Sequence, residues 1–237
     1  MIAKISRIII GLLDRFISPI VTKKEYRDQK YKWINERPIE LSFTLRALRE
    51  IYPRRILDVG SGLSSFPHLL ANCGFLVTAI DNKDSYWNFM EMHNRHFYII
   101  NDDITSSNIN YKFDFITCIS TLEHIEYHNA AMRNMSNLIK DSGHIVLTFP
   151  YNEGNYIKNV YELEGADYGK DLSYICQIFS RKQINKWIED NKLEIIEMEY
   201  WQVFDGEYWA FGNRLYPPKK VNKQQKHQLI CLLLKKI

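Results

Sequence analysis

Asp58-Val59-Gly60-Ser61-Gly62 sets an acidic side chain two residues ahead of a glycine pair, at the end of the short apolar run 55–59. Small residues there let the backbone turn sharply and approach a ligand closely, which makes a nucleotide cradle. A cradle for a pyrophosphate carries a third glycine, G-x-G-x-x-G, and here Ser65 takes that position. The Asp58 carboxylate beside the turn would also repel a phosphate.

Two further acids follow at strand ends. Asp81 closes the next extended run about 20 residues after the glycines, the spacing at which a carboxylate accepts hydrogen bonds from ribose hydroxyls. Asp103 closes the run after that, placed to accept from an adenine amino group while Ile104 packs on the ring; its neighbour Asp102 reads as a loop cap. A nucleoside with an amino group and a sulfonium in place of phosphates suits these carboxylates, and S-adenosylmethionine (SAM) is such a molecule.

The elements that must position these residues alternate between helical and extended patterns. Leu41, Leu45, Leu48 and Ile51 mark a helix face that stops before Pro53. Strands are expected at 55–59, 75–80, 97–100, 113–119, 144–149, 193–200 and 229–234, with helices after Phe66, over 131–139 and over 179–190, the last with Ser180 as N-cap. Short strands joined by helices pack as a parallel sheet covered on both faces.

The ordered set Leu57-Asp58-Val59-Gly60-Ser61-Gly62, Ala79-Ile80-Asp81, Asp103-Ile104, Thr121-Leu122-Glu123-His124-Ile125 and Ser142-Gly143 resembles the class I SAM-dependent methyltransferases. Within them it is similar to the small-molecule branch related to the ubiquinone and menaquinone biosynthesis enzymes, over residues 54–200. The resemblance implies an α/β fold, a doubly wound seven-stranded Rossmann-like sheet, with residues 1–37 as an N-terminal helical extension and 38–237 as the methyltransferase domain. It implies SAM as cofactor, bound by Asp58, Gly60, Ser61, Gly62, Asp81, Asn82, Asp103, Ile104 and Ser120. An NAD(P)-binding domain of similar topology, and hence a reductase, is the competing reading, because fold alone does not fix function.

Methyl transfer from a sulfonium is an in-line displacement with a good leaving group, so alignment is the protein's main task. A sugar hydroxyl would gain from a base, whereas a phenol or carboxylate attacks with little help. His124, after the fourth strand at the carboxyl edge of the sheet, is the candidate base. The alternative for His124 is a helix start bordering the cofactor, and Glu123 is a second candidate or a first-turn carboxylate. His124 and His128 would share a helix face at i and i+4, but the Glu of His-Glu-x-x-His and a third ligand are missing, so no metal is expected. His93 and His96 read as ordinary polar residues.

Acceptor specificity is expected from the irregular stretch 151–176 and from 200–227, where Trp201, Phe204, Tyr208 and Trp209 would either stack on a flat acceptor or belong to the core. A net charge of +3 over 237 residues falls short of a nucleic-acid footprint. Four scattered cysteines suggest no zinc site or disulfide framework and fit a reducing cytoplasm. Ile5, Ile8, Ile9, Leu12, Leu13, Phe16 and Ile20 recur at helical spacing, giving an amphipathic helix expected to end near Ser18-Pro19. Residues 1–21 then lie on a membrane, cover the enzyme's own core or meet a second copy in a homodimer. Lys23, Tyr26, Tyr31 and Trp33 belong to a solvated helix before Arg37. The expected activity is O-methylation of a small-molecule, sugar or lipid-linked glycan acceptor; a catalytically silent subunit that docks on a membrane or partner is the second expectation.

Overall fold

The computed structural model describes residues 2–27, 34–82 and 94–237, so Tyr31, Trp33 and His93 lie outside the described residues. The chain forms two compact units that divide between Asn35 and Glu36.

Among the described residues the first unit holds one helix, α1 (Ile2–Arg27), which continues through Pro19 where the sequence suggested an end. Proline leaves one carbonyl of the preceding turn without its amide donor. Downstream, Thr22 Oγ1 donates to the Ser18 carbonyl at 2.9 Å, a local bond compatible with continued helix. Leu12, Leu13, Phe16, Ile17 and Ile20 are exposed.

The second unit is an eight-stranded sheet in the order β3-β2-β1-β4-β5-β8-β6-β7. Its strands are β1 (Arg55–Val59), β2 (Leu76–Asp81), β3 (Ile100–Asn101), β4 (Phe113–Ile119), β5 (Ile139–Pro150), β6 (Leu193–Phe204), β7 (Arg214–Val221) and β8 (Leu229–Lys236). The first five pair in parallel, and β8 enters antiparallel between β5 and β6. Helices α2 (Arg37–Ile51), α3 (Phe66–Asn72), α4 (His128–Leu138) and α5 (Arg181–Asn191) cover it.

Strand alternation builds two cores, because successive side chains leave opposite faces. Leu57, Val59, Ile116, Cys118, Ile145 and Leu147 meet Met132 and Met135 of α4 and Ile184 and Trp187 of α5. Ile56, Phe115 and Val146, one residue out of phase, meet Phe43, Ala47 and Leu48 of α2 and Phe66 and Leu70 of α3. Trp187 is fully buried, and its indole N–H reaches Asn129 Oδ1 at 3.0 Å. Trp187→Ala is expected to lower unfolding stability by about 3–5 kcal/mol, read from denaturant titration.

The eighth strand departs from the seven expected. β7 lies within 200–227, where Pro217, Pro218, Lys219 and Lys220 hide the strand pattern. It pairs only with β6 at the sheet edge, the position where proline is tolerated and lysine discourages further pairing. The Asp141-Ser142-Gly143 turn appears as an irregularity inside β5: the register jumps from Phe113↔Ile139 to Phe115↔His144, with Ser142 at φ 62°.

Candidate active site

The strand order reverses between β1 and β4, and in an open α/β sheet such a switch point leaves a crevice at the carboxyl ends of the strands. The glycine turn sits there. Gly60 has φ 73° and Gly62 φ 51°, both in the left-handed region. A Cβ on Gly60 would overlap the Thr121 side chain, so the turn presses against the loop after β4. Gly60 N–H donates to the Ile80 carbonyl at 2.9 Å, tying the turn to β2 as well.

The acids brace this turn. Asp58 is buried, accepting from Ser61 Oγ and Thr117 Oγ1, each at 2.6 Å. Burial pushes its carboxyl up to about 6, against the pull of those two hydroxyls. Asp81 Oδ2 accepts the Gly62 amide at 2.7 Å. Asn82 donates to Asp103 Oδ2 at 2.9 Å, bridging the ends of β2 and β3, while Asp103 Oδ1 accepts from Thr105 N and Oγ1 at 2.8 Å. Asp102 accepts from Ser107 Oγ at 2.5 Å, as a loop cap would. Asn82, Asp102 and Asp103 line an open cavity of about 280 Å³, and Ile104 is buried in the core.

Residues that sequence reasoning passed over hold the opposite wall. Glu40 of α2 is fully buried; its Oε1 accepts from Ser120 Oγ at 2.5 Å and Thr148 Oγ1 at 2.7 Å, and its Oε2 from Arg37 at 2.9 Å. One carboxyl thus joins the carboxyl ends of β4 and β5. It holds Ser120 at φ 42°, a left-handed conformation uncommon for serine. Asn94 donates to the Gly62 and Ser64 carbonyls at 2.8 and 2.9 Å, closing the glycine loop from outside.

His124 ends a 3-10 turn, Leu122–His124. Its Nδ1 lies 2.7 Å from the Ile175 carbonyl, and a carbonyl only accepts, so Nδ1 carries the proton and Nε2 the lone pair. Burial lowers its pKa, favouring the neutral ring. Tyr174 packs edge-on against the ring at 4.8 Å, and Nε2 stands 3.9 Å from Glu123 Oε1. Glu123 is buried, its Oε2 has no hydrogen-bond partner among the described residues, and burial drives its carboxyl well above the usual range.

One expectation is corrected and one open alternative is decided. His124 and His128 do not share a helix face: Ile125 between them is extended, and His128 starts α4 with its ring against Phe179 and Trp187. Of the aromatic segment, Phe204 and Trp209 are buried against each other at 5.2 Å with Arg214 over both rings, so they are core. Segment 151–176 supplies Tyr174 beside His124, and its neighbour Gln177 donates to the Glu123 and Ile125 carbonyls at 3.3 and 2.8 Å.

Residues 25–198 match the family model described as Methyltransferase domain, which covers most of the chain. The chain belongs to the class I SAM-dependent methyltransferases. A ubiquinone biosynthesis O-methyltransferase from Coxiella burnetii is 26% identical over 171 residues, 68% of this chain and 69% of that one. Its counterpart in Alkalilimnicola ehrlichii is 25% identical over 174 residues, with the same coverage. Among solved structures, a SAM-dependent methyltransferase from Clostridium acetobutylicum has a TM-score of 0.52 at 18% identity, with 98% of each chain covered. Magnesium protoporphyrin IX methyltransferase from Synechocystis with bound S-adenosylhomocysteine (SAH) has 0.53 at 14% identity, covering 98% of this chain and 100% of that one. These two share the fold.

The methyltransferase uses SAM, which removes the nicotinamide reading. The geometry fits this cofactor. A glycine turn admits close backbone approach, and the buried Asp58 carboxyl beside it favours a ligand that brings positive charge. With Asp58 near 6 in the free protein, only its ionised form would attract an ammonium placed beside it. SAM affinity is therefore expected to be flat above about pH 7 and to fall by up to tenfold per pH unit below about 6. Calorimetry across pH checks this, with Asp58→Asn losing the dependence.

Proposed function

We propose that this methyltransferase methylates a hydroxyl oxygen of a small-molecule acceptor, a sugar or lipid-linked glycan being the finer reading, with His124 as general base. The carrying observation is the tautomer: Nδ1–H anchored on the Ile175 carbonyl leaves a neutral Nε2 as proton acceptor at the carboxyl edge of β4. The O-methyltransferase names of the curated relatives support oxygen as the target. SAM supplies an electrophilic methyl group. This chain's residues align the acceptor and take its proton: as the hydroxyl oxygen attacks, His124 Nε2 accepts the hydrogen, and Tyr174 shields the ring from water.

In this reading Asp81 receives the ribose hydroxyls, and Asn82, Asp103 and Ile104 border the adenine. Asp58, Gly60, Ser61, Gly62 and Ser120 hold the methionine end. Residues 151–176 and the part of 200–227 outside the buried Phe204 and Trp209 face the acceptor, residues 1–37 are an extension whose first 21 contact a membrane surface, and the four free cysteines suit the cytoplasm. SAH release is measured with phenol, sugar-hydroxyl, amine and thiol acceptors. Turnover confined to amines or thiols overturns the reading, and a parallel SAM titration keeps that outcome separate from loss of the cofactor.

A further inference from the structure

Charge in this chain is divided between its two units. Eight basic and three acidic residues precede Glu36, a net +5, leaving 23 basic and 25 acidic residues, net −2, from Glu36 onward. The positive charge of the whole protein therefore belongs to the segment that carries α1. On α1 itself Leu12, Leu13, Phe16, Ile17 and Ile20 are exposed by 51, 54, 71, 52 and 71%. At 3.6 residues per turn these five positions fall within an arc of about 140°, the width of a single apolar face. Arg15, Lys23 and Arg27 are exposed on the same helix.

No described helix is long and apolar enough to cross a membrane, so a bilayer would take α1 only in its surface plane. An apolar face in a strongly basic helix is the combination that lies at the headgroup boundary: apolar side chains enter the acyl region while Lys and Arg meet anionic lipid. A second copy of the same segment, residues 1–35, would set +5 against +5, which disfavours self-pairing. We infer that α1 docks this enzyme on an anionic lipid bilayer. This commits the membrane contact of the proposed function to a lipid class.

The test uses the full chain and sedimentation with vesicles of phosphatidylcholine, with and without about 30% phosphatidylglycerol. The wild type is expected to sediment with the anionic vesicles, to stay in solution with neutral ones, and to be released as salt rises from about 50 to about 500 mM. Lys23→Glu/Arg27→Glu should weaken binding about tenfold or more. Phe16→Glu/Ile20→Glu should abolish it while SAM affinity by calorimetry stays at the wild-type value, so failure here is distinguishable from failure of the methyltransferase reading. The inference is overturned by no binding to anionic vesicles, by equal binding to both vesicle types, or by unchanged binding of Phe16→Glu/Ile20→Glu. A wild-type dimer in analytical ultracentrifugation that the same double variant splits would assign the face to a second copy instead.

Discussion

His124→Ala is expected to lower kcat on a sugar-hydroxyl acceptor by about 10²–10³-fold while leaving SAM affinity within about threefold of wild type. A positioned base contributes about that much when the nucleophile must lose a proton during attack. Truncation removes Nε2 and also frees the Ile175 carbonyl, so a structural effect must be separated from a chemical one. His124→Gln keeps a polar chain of similar reach without a comparable base. If it is as slow as alanine while unfolding at the wild-type temperature, the loss is chemical.

The pH profile supplies an independent sign. Burial depresses the His124 pKa, so the neutral ring persists to lower pH than for a free imidazole. Activity should therefore persist to lower pH than the titration of a free imidazole would allow and decline only as Nε2 is protonated, and that acid limb should vanish in His124→Ala. Because Asp58 brings its own pH dependence near 6, the profile is taken at saturating SAM, where cofactor affinity drops out of kcat. A limb unchanged in the variant would remove His124 as the base. A phenol, which attacks as the phenolate, should show a far smaller loss on truncation.

What was legible in the sequence is what is local along it. Asp58, Gly60 and Gly62 lie within five residues, and the turn they build depends on backbone conformations that only glycine adopts readily. Glu40 left no such mark. It meets Ser120 and Thr148 across 80 and 108 residues, and in α2 it reads as one more polar position beside Leu41. Its burial follows from α2 turning Glu40, Phe43, Thr44, Ala47 and Leu48 inward, a face one residue removed from the leucine stripe that periodicity picks out. The aromatic segment left two readings open for a related reason: hydrophobicity tells that Phe204 and Trp209 seek burial, and a core serves that as well as an acceptor would. His124 and His128 were spaced as helix neighbours, but spacing has that meaning only if the backbone between them is helical, and Ile125 is not.

Asp81→Ala is expected to weaken SAM and SAH alike by about 10²–10³-fold, measured by calorimetry. A hydrogen bond to a charged acceptor contributes about 1.5–3 kcal/mol, and the substitution removes two kinds at once. The Gly62 amide, 2.7 Å from Asp81 Oδ2, loses its carboxylate partner and frees the turn, and in the proposed orientation the ribose hydroxyls lose their acceptor. Asp81→Asn separates them: the amide oxygen still receives Gly62, so the turn stays in place, while the charge that strengthens the ribose bonds is gone, and its affinity should fall between wild type and alanine. The ribose is common to both ligands, so the loss should be the same for each. Asp58→Asn, which acts on the charge of the methionine end, should not copy the Asp81 pattern, because its effect depends on pH through a carboxyl near 6. Wild-type affinity in Asp81→Ala would move the ribose away from the end of β2 and with it the orientation assigned to the whole cofactor.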